Sequence, residues 1–182
     1  MKRQNWYQRI SFFILIFSLV APLTGYATPL TEAVEKGSIG AITKLLDKGV
    51  DINEQDEDYR WTALMHASFY GDIKIVRLLI DRGADVNKQV PEYGFTALMK
   101  AAEEGNNEVV KLLIEKGAII DMQSMGGKTA LAFAAYDDEP ETVELLLDKG
   151  ADIDVAIAYL EKTASKIKNA AAGLKMLKDM KR

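Results

Sequence analysis

The chain has 182 residues, 48% of them hydrophobic, with 23 basic and 27 acidic side chains, one histidine and no cysteine. That length and apolar content fit one domain with an ample core, and fit neither a disordered tail nor a nucleic-acid binder. The lack of cysteine excludes a disulfide framework, thiolate metal sites, a cysteine nucleophile and a lipid-bearing N-terminal cysteine.

The first segment, Met1 to Arg9, carries Lys2, Arg3 and Arg9 and no acid. An apolar run of 11 residues, Ile10 to Val20, follows, then Pro22 and the small residues Gly25 and Ala27. This order predicts a secretory signal peptide over residues 1–27, cleaved after Ala27. The rival reading, a membrane anchor, needs roughly 20 apolar residues, more than this run supplies. The expected destination is the bacterial periplasm, or secretion beyond it, with no stable membrane insertion after cleavage. Without the segment, 20 basic and 27 acidic residues remain, net −7. The excess is uneven. Residues 28–154 hold 13 basic and 25 acidic residues, whereas residues 155–182 hold 7 and 2. So sharp a change predicts a boundary near Asp154.

Internal periodicity organises residues 28–154. Thr-Ala-Leu recurs at Thr62, Thr96 and Thr129, and Thr28-Pro29-Leu30 lies 34 residues before Thr62. Glycines recur in the same register at Gly49, Gly83, Gly117 and Gly150. The units run 28–53, 54–87, 88–121 and 122–154. In each, threonine caps a first helix by accepting from an unpaired N–H of the first turn. Pro29 sits at the first helical position, where a missing N–H costs nothing. Leu64, Ala67 and Ser68, and likewise Leu98, Ala101 and Ala102, share one helix face. Gly71 and Gly105 mark the turn to a second helix, which carries a stripe such as Val109-Val110 and Leu112-Leu113-Ile114. The closing glycine suits the left-handed conformation of a helix C-terminus.

Thr-Pro-Leu-x-x-Ala, followed by Glu-Val-Val-x-Leu-Leu-Ile-x-x-Gly-Ala at this period, resembles the ankyrin repeat. The resemblance covers residues 28–154 and is strongest over 88–121. It implies a mainly α solenoid of about four helix-turn-helix units, without catalysis of its own. Three departures stand out. The histidine usual after Thr-Pro-Leu is replaced by Thr31, Met65, Met99 and Ala132, which lowers the expected stability. Asp138 occupies a turn-glycine position. The loops before Thr62 and Thr96 are one residue longer.

A solenoid needs polar caps at both ends. Unit one begins directly after the predicted cleavage site and serves as the N-terminal cap, with Glu32, Glu35, Lys36 and Lys44 outward. Residues 155–182 form the basic C-terminal cap. Leu160, Ala164, Ile167, Ala171, Leu174 and Leu177 make its apolar stripe. Thr163 keeps the register of Thr129, so capping helices and a degenerate fifth repeat both fit. Gly173 is the expected break in the helix.

No catalytic, cofactor or metal site emerges. Gly126-Gly127-Lys128-Thr129 resembles the end of a phosphate-binding loop, but Met122 stands where that motif needs its first glycine. His66 reads as a surface or groove histidine. Asp56-Glu57-Asp58 lacks the glycine and glutamate positions of a calcium loop and reads as solvated. The resemblance instead points to a concave face built from the loops before each threonine and the ends of the first helices. Those positions hold Tyr59, Trp61, Phe69, Tyr70, Tyr93, Phe95, Glu103, Glu104, Tyr136 and Asp137, with Met125 and Lys128 on the last loop. Seven of the nine aromatic residues after residue 27 lie there, although aliphatic residues already supply the core. That concentration predicts a protein-binding surface. The competing reading is packing, with Phe69 and Tyr70 stacked between units and Tyr93 bracing its loop. The surrounding acids favour a partner with a basic or mixed-charge surface and disfavour nucleic acid. A monomer is expected. The roles that fit are protection of a periplasmic enzyme, neutralisation of a toxic effector as an immunity protein, or action as a secreted host-directed effector. A membrane-anchored scaffold is the structural alternative.

Overall fold

A computed structural model describes residues 27–164 and 168–181. The signal segment expected over 1–27 lies outside them except for Ala27. The described residues form ten helices and no strand. They are α1 (Pro29–Glu35), α2 (Ile39–Asp47), α3 (Ala63–Tyr70), α4 (Ile73–Asp81), α5 (Ala97–Glu103), α6 (Asn107–Glu115), α7 (Ala130–Tyr136), α8 (Pro140–Asp148), α9 (Ile153–Ala164) and α10 (Lys168–Met180).

The periodic threonines start the odd helices. Thr28, Thr62, Thr96 and Thr129 are extended, and each hydroxyl accepts from the N–H three residues on, in Thr31, Met65, Met99 and Ala132. Pro29 and Pro140 occupy the first turns of α1 and α8. The turn after α3 requires its glycine twice over. Gly71 has φ of 72°, and a Cβ there would lie 2.6 Å from Asn106 Oδ1. The Asn106 amide donates to the carbonyls of Ser68 and Phe69 at 2.9 and 2.8 Å, which locks α6 against the end of α3. Asp138, at φ 63°, takes the left-handed turn that glycine fills elsewhere.

The first helices α1, α3, α5 and α7 stack in a row, and α4, α6 and α8 stack in a second row behind them. The alanines Ala67, Ala101, Ala102, Ala134 and Ala135 are buried between the rows, where small side chains permit close approach. Ile75, Leu79, Val110, Leu113, Val143 and Leu146 fill the space from the second row. The loops are stitched in the same register. Asn53 Oδ1 accepts from Asp85 N–H, Asn87 Oδ1 from Ile119 N–H, and Asp121 Oδ1 from Asp152 N–H. Gln55 and Gln89 each donate to the carbonyl 34 residues on, in Gln89 and Gln123.

The C-terminal region departs from the sequence reading in two respects. Gly173 does not break a helix, since α10 runs through it, and Ile167 of the expected stripe lies outside the described residues. Ala171 is exposed, and Ala170 is the buried residue beside Leu160 and Leu177. Both helices pack on α7 as well as on each other. Lys162, Lys175 and Lys178 are exposed, Lys178 is paired to Glu161, and Lys181 just beyond α10 is paired to Asp154.

Candidate functional site

The loops before the cap threonines and the exposed side of the first-helix row form one face. Its side chains follow from the repeat register. The residue before each threonine is Trp61, Phe95 or Lys128, and the residue four after it is His66, Lys100 or Phe133. Each pair joins a ring to a basic group, and the order reverses in the last unit.

The first cluster surrounds His66. This side chain is 3% exposed, not the surface or groove histidine the sequence suggested. Its Nε2 lies 2.5 Å from Asp56 Oδ2, and Nδ1 lies 3.6 Å from Glu35 Oε1. Asp56 is likewise buried rather than part of a solvated loop. Its other oxygen accepts from the N–H groups of Tyr59 and Trp61 at 2.8 and 3.3 Å. Burial alone would raise the Asp56 pKa, but the His66 bond and these backbone donors outweigh it and hold it below 3.8. Trp61 packs over His66 with ring centres 5.1 Å apart, and Phe69 packs on Trp61 at 5.4 Å. Tyr59 and Tyr70 sit outside this group, against Trp61 and Phe69 respectively.

Lys100 links this cluster to the next. It is buried, and its ammonium lies 4.6 Å from the Trp61 ring centre and 4.3 Å from that of Phe95. Glu103 accepts from it at 2.8 Å. A cation between two ring faces, with a carboxylate on its free side, keeps much of the interaction energy that burial removes.

The second cluster is a hollow of about 360 Å³. The rings of Tyr93, Phe95, Phe133, Tyr136 and Tyr159 wall it, and Ser124, Met125, Gly126 and Lys128 of the preceding loop complete its lining. Tyr93 stacks on Phe95, and Phe95 meets Phe133 edge-on. Lys128 Nζ lies 3.8 and 3.9 Å from the Phe133 and Tyr136 ring centres. Its nearest carboxylate, Asp137, is 4.0 Å away. Burial lowers the Lys128 pKa to about 8, despite Asp137 and Glu103.

The face therefore gathers all ten residues singled out in the sequence, but in unequal roles. Tyr59, Tyr70 and Tyr93 are 59%, 54% and 56% exposed. Trp61, Phe95 and Tyr136 are half-buried against the core, so the aromatics contribute to packing as well as to the surface. Glu103 is tied to Lys100, and Asp137 faces Lys128. Asp56, Lys100 and Phe133 were not among the chosen residues, Lys128 was named only as a loop position and His66 only as a surface or groove histidine. Aligning the units on their threonines would have set most of them side by side.

Glu104 lies at the end of α5. Burial, with Glu103, Asp137 and Glu139 nearby, raises its pKa to about 7, and burial raises Asp137 to about 6. A carboxyl raised on folding binds more protons folded than unfolded. Its contribution makes stability fall as pH rises from about 4.5 to 7 for Glu104. Glu104→Gln is expected to raise Tm at pH 8 and to leave it unchanged near pH 4.5. Thermal melts across that range check this; equal effects at both pH values would refute it.

Comparison with known proteins decides the family. The family model for ankyrin repeats (three copies) matches residues 14–90 and 87–157, well over half of the chain. The chain belongs to the ankyrin-repeat family. A 45-residue stretch is 42% identical to the ankyrin repeat and SAM domain-containing protein 6 of Rattus norvegicus. That match covers 25% of this chain and 5% of the rat protein. Ankyrin repeats form a protein–protein interaction fold. Among the described residues no group of three His, Cys, Asp or Glu side chains could hold a metal ion, and no helix is long and apolar enough to cross a membrane.

Proposed function

We propose that this ankyrin-repeat protein is an exported, non-enzymatic module that binds a protein partner through its aromatic and acidic face. The observation that carries the reading is the trio of exposed tyrosines. Tyr59, Tyr70 and Tyr93 stand on one face, above rings and aliphatic side chains that are already packed. Large amphipathic rings exposed together are characteristic of binding surfaces, where single side chains contribute about 2 kcal/mol or more. The partner is one with a basic or mixed-charge surface, since Glu57, Asp58, Glu92, Glu103, Glu104 and Asp137 border the rings. Asp58 shares this electrostatic crowding, because burial and then Asp56 and Glu57 raise its pKa. Protection of a periplasmic enzyme is the role we favour, with neutralisation of a toxic effector as the alternative.

Two experiments test this. Mass spectrometry of the protein from its native cells is expected to give a mature chain starting at Thr28; a start at Met1 would remove the exported form. Partners captured from periplasmic extract would then be purified and titrated calorimetrically. The exposed tyrosines make better probes than Trp61, because Trp61 also covers the buried His66. Tyr59→Ala, Tyr70→Ala and Tyr93→Ala are each expected to weaken affinity about tenfold or more while preserving Tm. Unchanged affinity in all three would move the interface to another face.

A further inference from the structure

We infer that the aromatic hollow beside Lys128 receives the C-terminal residue of a partner polypeptide, its apolar side chain against the rings and its α-carboxylate on the Lys128 ammonium. This rests on the reading of the chain as a protein-binding module, which selects a polypeptide as the source of the carboxylate. The hollow itself supplies the chemistry. Lys128 is the only ionised group in its lining, and the residue is 8% exposed. Its ammonium donates no hydrogen bond to any described residue. Asp137 at 4.0 Å attracts it but is too distant to accept one. Ring faces stabilise the charge without satisfying its three N–H donors.

The neighbouring loop adds two further donors. Ser124 Oγ accepts from the Lys128 N–H at 3.1 Å, which leaves its own hydroxyl proton free for another oxygen. Met125 N–H is used by the Tyr93 carbonyl and Gly127 N–H by the Ser124 carbonyl, whereas Gly126 N–H has no partner in the loop. A covered ammonium with unused N–H donors, beside a hydroxyl and an amide N–H on an aromatic hollow, calls for a carboxylate attached directly to an apolar group.

An Asp or Glu side chain has the carboxylate without the apolar body. A chain terminus ending in an apolar residue has both within one residue. The volume is at the lower end of ligand-pocket sizes and suits one side chain. Asp137 is the competing carboxylate. Its pKa of about 6 lets it take a proton readily when a second carboxylate approaches.

The test uses the purified protein with its methionine methyl groups carbon-13 labelled, read at Met125 on the lip of the hollow. The probes are the peptide acetyl-Gly-Ser-Gly-Leu-Phe with a free C-terminus, the same peptide amidated, and 3-phenylpropanoate. The free peptide is expected to shift the Met125 methyl resonance and to bind at least about tenfold more tightly than the amide. Lys128→Met is expected to erase that preference and Lys128→Arg to retain part of it. Should Lys128→Met not fold, the acid-against-amide comparison on the native protein decides alone. Equal affinity for acid and amide overturns the inference. So does the absence of any shift up to about 10 mM probe. Binding of 3-phenylpropanoate without either peptide overturns the polypeptide source and leaves a small-acid site. None of these results touches the broader protein-binding reading, which stands or falls on the tyrosine substitutions.

Discussion

Asp56→Ala is expected to destabilise the protein by about 3 kcal/mol or more, because it removes the buried carboxylate that pairs with His66 Nε2 and accepts from two backbone N–H groups, and each buried polar group left unsatisfied costs about 1–3 kcal/mol. Asp56 and His66 are 2% and 3% exposed. The substitution strips His66 Nε2 of its acceptor in a site water cannot reach. It also frees the N–H groups of Tyr59 and Trp61, which hold the long loop in place. Arg60 lies in that loop at φ 58°, a left-handed conformation a long side chain adopts only under external constraint. Urea unfolding measures the loss, and near-ultraviolet circular dichroism reports whether Trp61 keeps its packing. Asp56→Asn keeps two acceptor or donor positions and should cost less. The double variant Asp56→Ala/His66→Ala should lose less than the two single losses combined, because the second change removes an already orphaned group. The pH dependence has a defined sign. The folded pKa of Asp56 lies below 3.8, so its contribution is present above that pH and fades as acid protonates the folded carboxylate. Asp56→Asn should flatten the acid limb below pH 4. A loss under about 1 kcal/mol in Asp56→Ala would mean the pair is not a structural support.

The architecture was legible in the sequence because repetition multiplies weak local signals. One threonine before an apolar residue is a poor cap signal, but four in register fix the start of α1, α3, α5 and α7. The face was legible for the same reason, since positions relative to each threonine are equivalent. The His66–Asp56 pair was not. Its members are ten residues apart, and Asp56 belongs to an acidic triplet that looks solvated. Only the antiparallel bridge between Gln55 and Thr62 folds the loop back so that Asp56 meets α3. Lys100 and Lys128 were hidden differently. Lys100 lies on an otherwise apolar helix face and Lys128 in the loop before Thr129, and a lysine at either place is normally read as solvent-facing. Here each ammonium ends against aromatic rings, Trp61 and Phe95 for Lys100 and Phe133 and Tyr136 for Lys128, and the long flexible stem lets the charge reach them. The aromatics misled in part as well. Leu, Ile, Val and Ala do fill the space between the helix rows, yet Phe133 is 6% exposed and joins the core from the face side.

Gly173→Ala separates two opposed expectations, and the structure says which prevails. On a solvated helix the change would stabilise by about 0.8–1.0 kcal/mol, because alanine loses less backbone freedom. In α10 a Cβ at this position would lie 2.4 Å from the Ala135 carbonyl oxygen, 2.7 Å from its carbon and 3.1 Å from the Tyr136 nitrogen. These are backbone atoms of the last turn of α7 and cannot rotate aside, unlike the Glu139 carboxyl that a Cβ at Gly105 would meet. Overpacking of this kind costs about 1–3 kcal/mol, so the net effect is a loss even after the propensity gain. Gly173→Val, with a larger side chain and poorer helix propensity, should lose more. The damage is expected to spread from α10 to α9, since both lie on α7, and to uncover Leu160 and Leu177. Hydrogen exchange should therefore quicken first in residues 153–180, while α4 and α6 stay protected. The hollow should register the same change, because Tyr136 closes α7 and Tyr159 reaches it from α9. A stabilised Gly173→Ala variant would mean that α10 does not rest on α7, and Tyr159 would then lose its claim to be a wall of the hollow.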